Sequence, residues 1–188
     1  GIWSSKNHRT WKSLHTNLSK YTCSFSDFPW PRGSSLFPAQ NEVEGYLQQF
    51  CNKYLANNEV KINCQVNKIS RDSQGSFNIE WVEKESNSIH AAEFDQVIVT
   101  SGFFSTPDHF DKIKISNPSF QVLSSNQYLD PQEFRSKNVL VVGGSFSGME
   151  IAAEITKTAK NVYHVFPKHT YVVPKYLPEN MKDPGTAF

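Results

Sequence analysis

Between residues 43 and 55 apolar side chains recur every three to four positions. Val43, Tyr46, Leu47, Phe50, Cys51, Tyr54 and Leu55 trace one stripe of an amphipathic helix. Asn41 followed by Glu44 matches a capping box, and the pattern predicts a helix over 41–57, ending near Asn57 and Asn58. The period then falls to two. Val60, Ile62, Cys64 and Val66 alternate with polar neighbours, and so do Phe77, Ile79 and Trp81 beyond the turn Asp72-Ser73-Gln74-Gly75. Segments 76–84 and 89–94 read as a hairpin, and the apolar run through Val97, Ile98 and Val99 makes 94–102 a buried strand. A strand over 138–142, a helix over 146–159 and a strand over 161–166 complete a β-α-β unit. Residues 1–38 and 103–137 carry no long period. Proline punctuates both, so they read as ordered loop and connector. No repeat of 20–50 residues and no low-complexity tract interrupts this order.

Composition narrows the picture. Fourteen Phe, seven Tyr and four Trp in 188 residues give enough large apolar surface for a packed core. Nineteen basic and eighteen acidic residues leave a net charge of +1, which argues against a polyanionic partner such as nucleic acid. Cys23, Cys51 and Cys64 are an odd set with no C-x-x-C, so neither a disulfide framework nor a zinc ribbon is expected. Cys51 and Cys64 fall on apolar positions, as buried thiols do, and a reducing, cytoplasmic setting fits them. The six histidines lack the i, i+4 ligand spacing, so no metal site is expected. No window reaches the roughly 18 apolar residues of a membrane span. A chain that opens on Gly1 without a methionine is expected to be processed or trimmed.

The chemistry gathers at VVGGSFSGME, residues 141–150. A dinucleotide fold uses G-x-G-x-x-G between a strand and a helix: one glycine for the tight turn, one for approach of the pyrophosphate, one for close helix packing. Here the positions read Gly143, Gly144, Ser145, Phe146, Ser147, Gly148, with Ser145 in the middle glycine's place. Ser145 keeps its backbone N–H and adds a hydroxyl that can donate to a phosphate oxygen, and the helix N-terminus favours an anion. The strand–turn–helix context favours nucleotide binding over a glycine turn of structural use alone. An NAD site places a carboxylate at the end of the second strand. The segment 165–170 has none and offers Lys168 and His169 instead, which suits the 2′-phosphate of NADP; a solvated surface turn is the alternative.

These residues resemble the flavin-containing monooxygenases and their N-hydroxylating and Baeyer–Villiger relatives. Gly1-Ile2-Trp3 is similar to the end of the family's GGxW segment, Leu14-His15-Thr16-Asn17 to its L-x-T-N step, and Phe25 to Pro31 to its FxDFPxP loop. Leu36-Phe37-Pro38 ahead of a helix, Thr100 to Pro107, and Val139 to Ala153 resemble further family motifs, in family order and almost end to end. Two departures stand out: Phe103 replaces a histidine, and 119–128 lacks the Gly and His of the family's F-x-G-x-x-x-H segment.

The resemblance implies an α/β, Rossmann-like flavoprotein fold with two dinucleotide-binding domains. Residues 1–107 would be part of the FAD domain, 108–137 a connector, and 138–188 the first part of the NADPH domain. The glycine turn would be the second of two, the first lying in a segment before Gly1. The implied activity is FAD- and NADPH-dependent oxygenation of a soft nitrogen or sulfur nucleophile by O2 through a C4a-hydroperoxyflavin. By the same resemblance Gly1, Trp3 and Thr16 would line the flavin, and Asn17 would be the catalytic residue, its amide facing flavin and nicotinamide. Gln65 and Val66 would lie near the FAD adenine, and Ser101 and Gly102 beneath the cofactor. Gly143, Gly144, Ser145, Ser147 and Gly148 would hold the NADP pyrophosphate, with Lys168 and His169 on the 2′-phosphate. Asn17 also fits a plain turn, Gln65 and Val66 a plain strand, and Ser101 and Gly102 a chain reversal. Expected partners are a small amine or sulfide, O2, and the remaining segments of the same enzyme or a second copy of the chain. Two other functions stay open: a pyridine-nucleotide flavin reductase, and a truncated, non-catalytic nucleotide-binding or interaction protein.

Overall fold

The computed structural model describes residues 1–7, 9–55, 60–102, 104, 116, 119–168 and 171–172. Two compact units emerge, one from residues 1–48 with 104–188 and one from 49–103.

In the first unit the proline-punctuated segment is ordered by the helix that follows it. Residues 14–20 run against 36–40 through Thr16 N–H to Pro38 O (2.9 Å), Gln40 N–H to Leu14 O (2.9 Å) and Lys20 N–H to Leu36 O (2.8 Å). Helix α1 spans Gln40–Tyr54. Its start differs from the expected capping box in register. Glu42, not Glu44, reaches back to the amides of Ala39 and Ser35, at 2.9 Å each, while Glu44 accepts from the amide of Ser5. The expected end near Asn57 and Asn58 lies outside the described residues. Tyr46, on the buried face of α1, stacks on Trp30 with centroids 4.0 Å apart, packs on Phe28 and Phe25, donates to Phe28 O (2.5 Å) and accepts from Phe25 N–H (2.8 Å). One tyrosine thus fixes a loop whose prolines cannot donate to a ladder.

The same unit holds the β-α-β element. Strands β4 (Asn138–Val142) and β5 (Asn161–Val165) pair in parallel, Val139 opposite Val162 and Val141 opposite His164. Helix α2 (Phe146–Ile155) crosses between them. Its last expected turn tightens instead: Thr158 N–H bonds Ile155 O (3.0 Å) and the Thr156 hydroxyl bonds Ala153 O (2.6 Å), so the helix ends at Ile155 rather than near 159. The core joins α2 to the N-terminal segment. Trp11, Tyr128, Ile151 and Ile155 are buried together, with Leu14, Phe134, Val139 and Val162 packed around them. Trp11 and Tyr128 meet edge to face at 6.0 Å. Residues expected to belong to two nucleotide domains therefore share one core here, and in the connector short 3-10 turns at Ser125–Gln127 and Pro131–Phe134 carry Tyr128 and Phe134 into it.

The second unit is a meander of β1 (Cys64–Arg71), β2 (Phe77–Glu83) and β3 (Ile89–Phe94), paired antiparallel in that order. The expected hairpin is present as β2 and β3. The turn before it, from β1 into β2, is held by Asp72, whose carboxylate accepts from the amides of Gln74, Gly75 and Ser76. Two expectations are corrected. The first strand begins at Cys64, not Val60, and a bulge between Val66 and Lys68 breaks its alternation. The strand expected over 94–102 is absent: β3 stops at Phe94, and Ile98 (86% exposed) and Val99 (70%) are solvated. An apolar run becomes a strand only where a neighbouring strand takes its amides and carbonyls, and none of the described strands pairs with it.

Candidate functional site: the glycine turn and an aromatic-lined cleft

The turn from β4 into α2 is held from below by β5. The Gly143 amide donates to Val165 O at 2.9 Å, continuing the parallel ladder by one residue. Its carbonyl lies 2.7 Å from Nε2 of His164. With both peptide groups fixed, Gly143 adopts φ +121°, a conformation that favours glycine. Gly144 lies over Phe166, and a Cβ there would come within 2.7 Å of the Phe166 Cβ. At Gly148 a Cβ would overlap the Gly143 carbonyl oxygen, so the first turn of α2 sits directly against the loop. The three glycines are thus needed for conformation, for underlying packing and for close helix approach.

Ser145, at the missing glycine's place, is the N-cap residue of α2 with extended backbone (φ −86°, ψ 173°), and its carbonyl accepts the first helical bond from Met149 N–H (3.1 Å). Its hydroxyl makes no capping bond. Among the described residues no backbone acceptor takes the amides of residues 144–148. An extended N-cap with an uncommitted hydroxyl, followed by the open amides of a helix start, matches the donor set that a pyrophosphate requires.

Trp3 and Thr16 come together on a cleft of about 330 Å³, lined also by Cys23, Phe25, Trp30 and Tyr46. Thr16 is buried, its amide on Pro38 O and its hydroxyl donating to Leu18 O (2.8 Å). The Trp3 carbonyl accepts from the Gln40 side chain at 2.5 Å. Glu44 takes the Ser5 amide and the Gln40 amide group, and the Ser5 hydroxyl and amide hold its carboxyl below the usual range. Burial pushes the Glu42 carboxyl up, but the amides of Ala39 and Ser35 outweigh it and the net direction is down. Burial also raises the Cys23 thiol above its ordinary value at the cleft wall. The cleft is mainly apolar with a few fixed polar groups, and its volume is at the small end of the range for ligand sites.

The other expected residues are distributed as follows. Gly1 is exposed and its carbonyl accepts from Ser4 N–H (3.2 Å); Asn17, next to buried Thr16, is exposed. Gln65 and Val66 are exposed on β1 of the second unit, and Ser101 and Gly102 (φ +74°) are exposed at that unit's end. Lys168 is exposed just beyond β5, and His169 lies outside the described residues, as does Phe103. Gln40, His164 and Phe166 carry weight in this geometry without having been expected. For His164 the signal was a lone polar residue in the apolar alternation Val162-His164-Phe166.

Strand, glycine turn and helix, with parallel pairing on β5, define the class: an α/β protein with a Rossmann-like dinucleotide-binding unit. The flavin-binding monooxygenase-like family matches residues 3–180, and the chain belongs to it. The flavin-containing monooxygenase FMO GS-OX1 of Arabidopsis thaliana is 33% identical over 165 residues, covering 81% of this chain and 34% of that protein. The Tmm protein of Pelagibacter sp. strain HTCC7211 superposes with a TM-score of 0.74 at 25% identity, covering 83% of this chain and 36% of that one. The S-allyl-L-cysteine S-oxygenase of Allium sativum shares the fold, with a TM-score of 0.73 at 24% identity over 91% of this chain and 40% of its own. The chain spans about a third of the length of the curated relatives it matches.

Proposed function

We propose that the protein carrying this chain is an FAD- and NADPH-dependent monooxygenase that oxygenates a soft nitrogen or sulfur nucleophile. The observation that carries this reading is the turn of Gly143, Gly144, Ser145 and Gly148 on α2, in a chain of a flavin-binding family. When bound, the flavin supplies the redox chemistry between NADPH, O2 and substrate. The chain's own residues bind and orient. The amides at the start of α2 and the Ser145 hydroxyl take the NADP pyrophosphate, Lys168 and His169 take the 2′-phosphate, and Trp3, Thr16 and Asn17 face the flavin. The lack of a carboxylate after β5 favours NADPH over NADH.

The test is NADPH oxidation by the intact purified protein in air, with and without a tertiary amine or thioether. A yellow protein that consumes NADPH in preference to NADH and yields the N-oxide or sulfoxide is the expected result. A colourless protein, or one that oxidises NADPH without oxygenating any substrate of either class, sinks the proposal; the second result would make the protein a flavin reductase.

A further inference from the structure

The inner face of β5 is apolar except at His164, whose Nε2 lies 2.7 Å from the Gly143 carbonyl oxygen. A carbonyl can only accept, so Nε2 carries the hydrogen and His164 is the donor. The imidazole is itself held edge to face by Phe166 (4.9 Å between centroids, 62° between planes), and Phe166 also underlies Gly144. The Gly143 amide is meanwhile bound to Val165 O. Two consecutive residues of β5 thus fix both peptide groups of Gly143 at φ +121°, while the amides of residues 144–148 keep no backbone partner among the described residues.

We infer that His164 is a positioning residue of the dinucleotide site: its Nε2–H pins the Gly143 carbonyl to β5, so that the turn presents amides rather than that oxygen to the pyrophosphate. The inference rests on the NADPH reading and adds a determinant of affinity to it. A carbonyl oxygen beside a pyrophosphate repels it, and a turn that must reorganise on binding loses part of its affinity to that ordering. Without the Nε2–H the Gly143 carbonyl loses its one hydrogen-bond donor from β5 and is held only by its packing against Gly148. His164→Phe keeps the ring's packing and removes the donor; His164→Gln keeps a donor on a flexible stem.

The experiment is NADP+ titration calorimetry and NADPH-dependent steady-state kinetics on the intact protein, wild type and both variants, with ¹⁵N NMR of the His164 ring. The expected result is a wild-type ring with hydrogen on Nε2, and His164→Phe about fivefold weaker for NADP+, the cost of ordering a turn that one part-buried hydrogen bond no longer holds. KM for NADPH should rise by the same factor with kcat at saturation unchanged, and His164→Gln should recover part of the loss. A role in folding alone would lower the active fraction, and with it kcat, without changing KM. Equal NADP+ affinity in wild type and His164→Phe overturns the inference and leaves the NADPH reading standing. A wild-type ring with hydrogen on Nδ1 alone overturns it even if the phenylalanine variant fails to fold. A wild type that binds no NADP+ overturns the NADPH reading and this inference with it.

Discussion

Ser145 occupies an N-cap position without capping through its side chain. A serine that caps normally loses about 1 kcal/mol on replacement by alanine, and that cost should be missing here. Ser145→Ala is expected to leave the melting temperature unchanged and to weaken NADP+ binding roughly tenfold, the loss of one hydrogen bond to a charged group. Calorimetry beside a thermal melt checks both halves; a fall in stability with unchanged affinity would mean that the hydroxyl caps the helix after all. Gly148 makes the opposite case. A methyl there meets the Gly143 carbonyl, so Gly148→Ala should cost about 1–3 kcal/mol of stability as an overpacked site and also weaken NADP+ binding, read in a denaturant melt and a titration. The glycine positions were legible in the sequence because each answers a steric demand that only one residue type meets. His164 stood out only as a lone polar residue in an apolar alternation; its role was not legible, since its partner is a backbone carbonyl that the sequence does not locate.

The elements legible in the chain were those whose pattern and partner lie close together: α1, the hairpin of β2 and β3, and the unit of β4, α2 and β5. The run at 94–102 carries as strong a β pattern as any of them, yet it has no ladder among the described strands. Likewise the capping register of α1 was set by the amides of Ser35 and Ala39, which a reading of Asn41 and Glu44 could not anticipate. Least legible was the tie between the connector and α2. Tyr128 is buried beneath Trp11 and donates to Glu154 on α2 at 2.8 Å, and Ser13 donates to the same carboxylate. Tyr128→Phe keeps the ring and removes this bond, at an expected cost of about 1–2 kcal/mol. Burial, then the bond and charge of Glu154, raise the Tyr128 hydroxyl far above its ordinary value. A group raised in the folded state contributes stability that is whole below its unfolded value, near 10 for tyrosine, and falls as pH rises beyond it. The gap between wild type and Tyr128→Phe should therefore narrow in melts above about pH 10; a constant gap would mean that Tyr128 ionises as easily folded as unfolded.

Across the whole molecule, the carboxylates with lowered values gather in the unit that carries the nucleotide turn. Glu44 is held down by the hydroxyl and amide of Ser5, and Glu42 by the amides of Ala39 and Ser35 against the effect of burial. Asp130 is held down by Lys12, whose ammonium lies 2.5 Å away, and by the amide of Gln132. A carboxylate lowered in the folded state stabilises above its unfolded value, about 4, and that contribution is lost as pH falls through the folded value. All three point the same way, so acid should weaken the segment joining Ser5, α1 and the 3-10 turn after Asp130, modestly because these carboxylates are solvated. The expected outcome is that Glu42→Gln, Glu44→Gln and Asp130→Asn together lower stability at neutral pH and flatten its fall between pH 6 and pH 3. Tryptophan fluorescence reports it, since Trp3, Trp11 and Trp30 lie in this unit and Trp81 in the meander, so a Trp81→Phe background isolates the signal. An unchanged acid slope in the triple variant would show that these amide and lysine partners do not hold the unit together, and that the aromatic core around Trp11 and Tyr128 does so alone.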